Sequence, residues 1–165
     1  MGKFSFIYLL PEKARIFLPR MFDILYTNMT AIAPSDAGYQ ENREMWLSYI
    51  QPALEQGKVR VLLMLAGEEL AGYFQYSIRG ETMLVDEVEI KPEYQRTMLF
   101  YRCCQFLLTD VPAGIQFLES YVNKNNLNSL SIHRKLDMEI IGENKSGRSW
   151  RMRGDMAAIS KRFVR

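Results

Sequence analysis

The segment from Met83 to Leu108 constrains this chain more than any other. Met83 to Ile90 is apolar and β-branched in the manner of a strand. Thr97 to Leu108 repeats apolar residues at helical spacing, with Leu99, Cys103, Phe106 and Leu107 on one stripe. Pro92 separates the two, because it pushes its predecessor into extended geometry and cannot donate to a ladder. A strand that passes through a short turn into a helix aims the helix's first N–H groups at whatever sits above them. Such a terminus suits an anion, most often phosphate.

Composition bounds the rest. The 165 residues are 48% apolar and 24% charged, which suits one globular domain, residues 1–165, with a core large enough to need no staples. A formal net charge of +2 gives no reason to expect nucleic acid or an anionic membrane as a partner. Cys103 and Cys104 are adjacent on the predicted helix, poorly placed to bridge each other, and fit a reduced, cytoplasmic protein. No run approaches the roughly 18 consecutive apolar residues that a membrane span needs. Met1-Gly2 opens like a myristoylation site, but Phe6 stands where Ser or Thr is wanted. The ten methionines read as adaptable core filler.

Phe4 to Leu10 reads as a first strand, closed by Pro11, which sits well at a helix start. From there to about Thr27, Ile16, Leu18, Met21, Phe22, Ile24 and Leu25 form an apolar helical face. A turn cluster at 33–38 leads to a second helix from Tyr39 to Gln56, with Met45, Trp46, Tyr49 and Ile50 inward. Pro52 predicts a kink or break there, and Gly57 a C-cap. Three strands follow, Val59 to Ala66, Leu70 to Ile78 and Thr82 to Ile90, joined by turns short enough to require antiparallel pairing. After the central helix come a strand from Ile115 to Val122, a short helix begun by Asn126 and a strand from Met138 to Gly142. A last strand spans about Arg148 to Ala158. The order β-α-α-β-β-β-α-β-α-β-β predicts an α+β fold: one central mixed, mostly antiparallel sheet flanked by helices.

Strand, Pro92-Glu93-Tyr94, Gln95-Arg96 and helix together resemble the acyl-CoA-binding core of the GNAT acetyltransferase superfamily, whose element order the whole chain follows. That family's loop reads Q/R-x-x-G-x-G/A. Gln95 fills its first position, while Met98 and Phe100 replace its two glycines. A second likeness lies downstream, where the family has a strand, an Asn and a short helix ending Leu-Tyr-x-x-Leu-Gly-Phe. Asn126, Ser129 and Leu136 match that pattern. His133 stands at the Tyr position and Asp137-Met138 replaces Gly-Phe.

The resemblance implies a cytoplasmic N-acyltransferase that moves an acetyl or short acyl group from acyl-CoA to a primary amine by direct attack in a ternary complex. It makes a homodimer a reasonable expectation. The backbone of Val88, Glu89 and Ile90 would align the pantetheine. Gln95, Arg96, Thr97, Met98, Leu99, Phe100 and Tyr101 would hold the pyrophosphate, Asn126 would steady the coenzyme, and His133 would protonate the departing thiolate. An imidazole with an unperturbed pKa of about 6.5 is a competent acid near neutrality. Glu87 and Glu89 alternate with Val88 and Ile90 and so share one strand face, as do Glu119 and Tyr121 on the neighbouring strand. A carboxylate on such a face can act as general base or simply be solvated or salt-bridged; of these, Glu87 is the expected base. The residues alone leave a second use open, a catalytically silent GNAT-fold module that binds a ligand or partner.

Overall fold

The computed structural model describes residues 3–164; the myristoylation-like Met1-Gly2 lies outside them. The elements in chain order are β1 Phe4–Tyr8, α1 Ala14–Ile32, α2 Tyr39–Glu55, β2 Arg60–Ala66, β3 Glu69–Arg79, β4 Thr82–Ile90, α3 Leu99–Leu108, β5 Phe117–Asn123, α4 Leu127–Lys135, β6 Glu139–Glu143, β7 Ser149–Asp155 and α5 Met156–Phe163. Short 3-10 turns, Pro11–Lys13 and Pro92–Tyr94, introduce α1 and the approach to α3. The seven strands follow the sheet order β1-β2-β3-β4-β5-β7-β6. The β1–β2, β2–β3, β5–β7 and β6–β7 ladders are antiparallel. The β4–β5 ladder is parallel and pairs Thr82–Val85 with Phe117–Ser120.

The chain forms two compact units. One comprises the chain up to Tyr76 with Glu87–Cys103; the other comprises Ser77–Asp86 with the chain from Cys104 on. In the first, α1 and α2 lie on β2 and β3, burying Leu18, Met21, Ile24, Ile50 and Leu54 with Val61, Leu63 and Tyr73. Most of the expected apolar face of α1 is buried, Leu18, Met21, Phe22 and Ile24 among it, and the expected residues that lie outside are Ile16 in α1 and Met45 and Tyr49 in α2. Ile16 is 54% exposed, Met45 61% and Tyr49 57%. α2 turns Ile50 inward as expected, together with Ala53 and Leu54, and packs the expected Trp46 beside them with Leu47. That i, i+3, i+4 set gives one stripe, whereas pairing Met45 with Tyr49 reads the neighbouring one.

Pro52 does not break α2, which runs on to Glu55. It lies in the last turn, where a missing N–H disturbs little of the helix that follows. Gly57 then takes φ +66°, the left-handed C′ conformation expected of it. Gly72 matters for another reason: a Cβ there would lie 2.5 Å from the Glu89 carbonyl oxygen, so only glycine lets β3 lie that close to the end of β4.

In the second unit the expected final strand is shorter than its pattern, and a fifth helix replaces its end. Asp155 closes β7 and accepts the Ala158 N–H at 2.7 Å, capping α5. Met156, Ile159 and Phe163 then recur at helical spacing and are buried. Two-residue alternation through Met152 and Met156 fits either element, so the cap decides. α4 begins as expected, with the Asn126 side chain accepting the Ser129 N–H at 3.1 Å. It ends with Asp137 N–H bonding the Arg134 carbonyl and Met138 N–H bonding the His133 carbonyl, while Asp137 holds φ +56°. That is the Schellman ending, in which glycine is the usual left-handed residue.

Asp137 thus takes the backbone conformation that a glycine would take without strain. Asp137→Gly should therefore be more stable than Asp137→Ala by about 1 kcal/mol, read as a difference in thermal midpoint between the two variants. Equal midpoints would show that the left-handed turn has no part in the stability of α4.

Candidate active site

The first unit carries both β4 carboxylates, and each is held by named donors. Glu87 accepts the Trp46 indole N–H on Oε1 at 3.1 Å and the Tyr73 hydroxyl on Oε2 at 2.7 Å. The carboxylate therefore links α2, β3 and β4. Glu89 accepts the Asn28 side-chain amide at 2.7 Å, and that amide also donates to the Ile90 carbonyl at 3.0 Å. Burial, reinforced by the neighbouring charge of Glu87 and opposed by the Asn28 bond, pushes the Glu89 carboxyl up to about 7. Burial and the same two carboxylates raise the Tyr73 phenol well above its usual value, so it stays a donor. The strand-face pairing of Glu87 with Glu89 is as the alternation predicts. A carboxyl near 7, as at Glu89, is matched to proton exchange near neutral pH.

The turn after β4 is fixed by its own side chains. Gln95 donates to the Ile90 carbonyl at 2.9 Å, so this carbonyl receives both Gln95 and Asn28. Arg96 holds φ +61°. Thr97 donates to the Tyr94 carbonyl at 2.7 Å and accepts the Leu99 N–H at 3.2 Å, capping the start of α3. The first bond of the helix ladder runs from Arg102 N–H to the Met98 carbonyl. The N–H groups at Phe100 and Tyr101 precede that ladder, where a helix presents donors to an anion.

This geometry clarifies the two missing glycines. Among the described residues the non-glycine positions of positive φ are Arg96 and Asp137. Neither Met98 nor Phe100 is among them, so the turn asks nothing of them that only glycine supplies. Their cost is bulk alone. Met98 is exposed, Leu99 is wholly buried and Phe100 is half-buried.

The second unit carries Asn126 and His133. Asn126 spends its side-chain oxygen on the cap of α4, leaving the amide N–H groups as its remaining donors. His133 is half-buried, with Nδ1 2.7 Å from the Ser129 carbonyl and Nε2 2.6 Å from Ser120 Oγ. A carbonyl only accepts, so the proton sits on Nδ1 in the neutral ring, and the Ser120 hydroxyl donates to Nε2. Burial, partly offset by the Ser129 bond, lowers the His133 pKa and favours this neutral form.

Ser120, Asn28, Trp46 and Tyr73 were not among the expected site residues. Of these, only Ser120 had a signal in the sequence, lying between Glu119 and Tyr121 on a strand already singled out. Glu119 itself is ion-paired with Arg151 and Arg153, which leaves it bound rather than available as a base. Among the described residues no group of His, Cys, Asp and Glu is arranged to hold a metal ion. No helix there is long and apolar enough to cross a membrane.

The raised carboxyl of Glu89 has a thermodynamic consequence. Its folded pKa lies above its unfolded value of about 4.5, so the native state binds the extra proton between those limits. Stability from this group is full below pH 4.5 and is lost as pH rises through 7. Glu89→Gln should remove about 1–3 kcal/mol of that fall between pH 5 and 8. Denaturant titrations at the two pH values measure it. A fall as steep in the variant as in the parent would assign the effect elsewhere.

Neither a protein-family model nor a curated protein matches this sequence. Solved structures do. The chain is similar to PaiA N-acetyltransferase from Thermoplasma acidophilum, solved in complex with coenzyme A, with TM-score 0.70 and 16% identity over 93% of this chain and 99% of that one. It is similar to an acetyltransferase from Thermus thermophilus, with TM-score 0.73 and 14% identity over 94% and 99%. A spermidine N-acetyltransferase from Vibrio cholerae, in complex with CoA and spermine, matches with TM-score 0.64 and 13% identity over 94% and 97%. Over nearly its whole length, the chain has the fold of the GNAT acetyltransferases.

Proposed function

We propose that the chain is a single GNAT-like domain, residues 1–165, that transfers an acetyl or short acyl group from acyl-CoA to a primary amine by direct attack in a ternary complex. The observation that carries this reading is the β4-to-α3 crossing. Its left-handed residue is Arg96, so the N–H groups at the start of α3 are presented without either glycine. Coenzyme A and a polyamine are the ligands of similar folds, which supports acyl-CoA as donor and a cationic amine as acceptor.

In this reading the backbone of Val88 to Ile90 lines the acyl arm. The N–H groups from Arg96 to Tyr101, apart from that of Leu99, which Thr97 accepts, receive the pyrophosphate, and Asn126 steadies the coenzyme through its amide. An amine must lose a proton before or as it attacks the thioester. The base is a β4 carboxylate, Glu87 as the alternation suggests or Glu89, which is pushed up to about 7 and can take that proton at neutral pH, directly or through water. The thiolate needs a proton as it leaves. His133 supplies it from its cationic form, which is scarce at neutral pH and correspondingly strong. Because Nδ1 is held by the Ser129 carbonyl, the proton leaves from Nε2 to Ser120 Oγ as the Ser120 hydroxyl gives its own proton to the thiolate.

One observation favours the second reading, a GNAT frame that binds without catalysis. Gln95 and Asn28 both occupy the Ile90 carbonyl, so that stretch of β4 is engaged by the protein's own side chains. Calorimetric titration with acetyl-CoA, and desulfo-CoA beside it, separates the two. Dissociation constants of roughly micromolar order, with acetylation of an amine panel that includes spermine, are expected of the enzyme. No binding at roughly millimolar ligand would remove the acyltransferase reading.

The loop and the acid are tested separately. Met98→Gly with Phe100→Gly should tighten coenzyme binding, because those side chains contribute bulk and no required backbone conformation; unchanged affinity would point to a wider remodelling. His133→Phe should lower turnover by about 100-fold or more if the imidazole is the acid. Turnover left intact would take that role from it.

A further inference from the structure

The β5–β7 ladder sets Glu119 opposite Arg153 and Tyr121 opposite Arg151. Side chains alternate along each strand, so these four and Phe117 share one face of the second unit's sheet. Glu119 is 4% exposed. Arg151 donates to its Oε2 from Nε at 3.0 Å and Nη2 at 2.8 Å. Arg153 donates to its Oε1 from Nε at 2.7 Å, with Nη2 2.5 Å from the same oxygen. Burial works to raise the Glu119 pKa, and the two arginines more than offset it, holding the carboxyl below its usual value.

One guanidinium is enough to satisfy a carboxylate in a forked pair. Here two share it, so one positive charge is left over. Glu139 stands opposite Arg153 in the β6–β7 ladder, yet among the described residues Glu119 is the acid paired with either arginine. Both arginine side chains remain reachable, 41% and 38% exposed. Each directs Nε and Nη2 at Glu119, which leaves the Nη1 donors unused by that carboxylate. The Arg153 guanidinium also lies over the Phe117 ring, 4.5 Å from its centroid, which holds the plane of the fork. Tyr121, 48% exposed, borders the pair beside Arg151.

We propose that Arg151 and Arg153, braced on Glu119 and Phe117, form a binding site for the oxyanion of a small ligand, a carboxylate or a phosphate. The buried carboxylate fixes both guanidiniums before any ligand arrives, so little side-chain entropy remains to be lost on binding. Their uncompensated charge and the Nη1 donors that Glu119 does not use supply the attraction and the geometry. The site stands independently of the acyltransferase reading.

The experiment follows the arginine Nε–H resonances of the full chain while acetate, or inorganic phosphate, replaces chloride at fixed pH and ionic strength. Saturable shifts at Arg151 and Arg153, with dissociation constants of roughly millimolar order, are expected for at least one oxyanion. Response to acetate alone would make the ligand a carboxylate, and response to phosphate alone a phosphate. Arg153→Lys keeps the charge and loses the fork, so it should weaken binding about tenfold. Shifts that never saturate with either ion would overturn the proposal. So would saturable binding that Arg153→Lys and Arg151→Gln both leave unchanged.

Discussion

The Glu87 carboxylate, held by the Trp46 indole and the Tyr73 hydroxyl, is the interaction on which the candidate chemistry depends. It ties α2, β3 and β4 together through a charge that burial alone would disfavour. With Glu87 kept in place, Glu89 two residues on is forced into a neighbouring carboxylate's field. Burial and that field give Glu89 its raised pKa. The same strand then turns at Pro92 to deliver the start of α3. One strand therefore presents an acid–base group and leads, through a few residues, to a set of backbone donors.

Among the described residues, positive φ at a non-glycine occurs at Arg96 and Asp137; Asp137 stands where the resembled pattern has glycine, and Arg96 does not. Arg96 carries the turn before α3, and Asp137 carries the turn after α4. A left-handed conformation costs a side chain roughly 1–2 kcal/mol, least where a short polar group can bond locally. Asp137 is of that kind. Arg96 is not, and the turn is held around it by Gln95 on the Ile90 carbonyl and Thr97 across Tyr94 and Leu99.

Element order and type were legible because caps, turns and period agree over most of the chain. Asn126 announces α4, Gly57 ends α2, and the two-residue turn at Gly80-Glu81 joins β3 to β4. Helix faces were less legible. In α2 the choice between Met45–Tyr49 and Trp46–Ile50 depends on where the sheet lies, and the sequence alone cannot supply that. The strand-to-helix change at Asp155 was missed although its capping pattern is local.

Local rules, written in residues a few positions apart, are what the sequence determined: the β4–turn–α3 crossing, the shared face of Glu87 and Glu89, and the cap at Asn126. Tertiary structure decided everything that depends on a distant partner. Trp46 and Tyr73 on Glu87, Asn28 on Glu89, Ser120 on His133, and Arg151 with Arg153 on Glu119 join residues from 13 to 61 positions apart. A proton's affinity for a side chain is set by the dielectric and the charges around it. Those belong to the folded neighbourhood, so sequence could name the carboxylates and the imidazole but not their protonation.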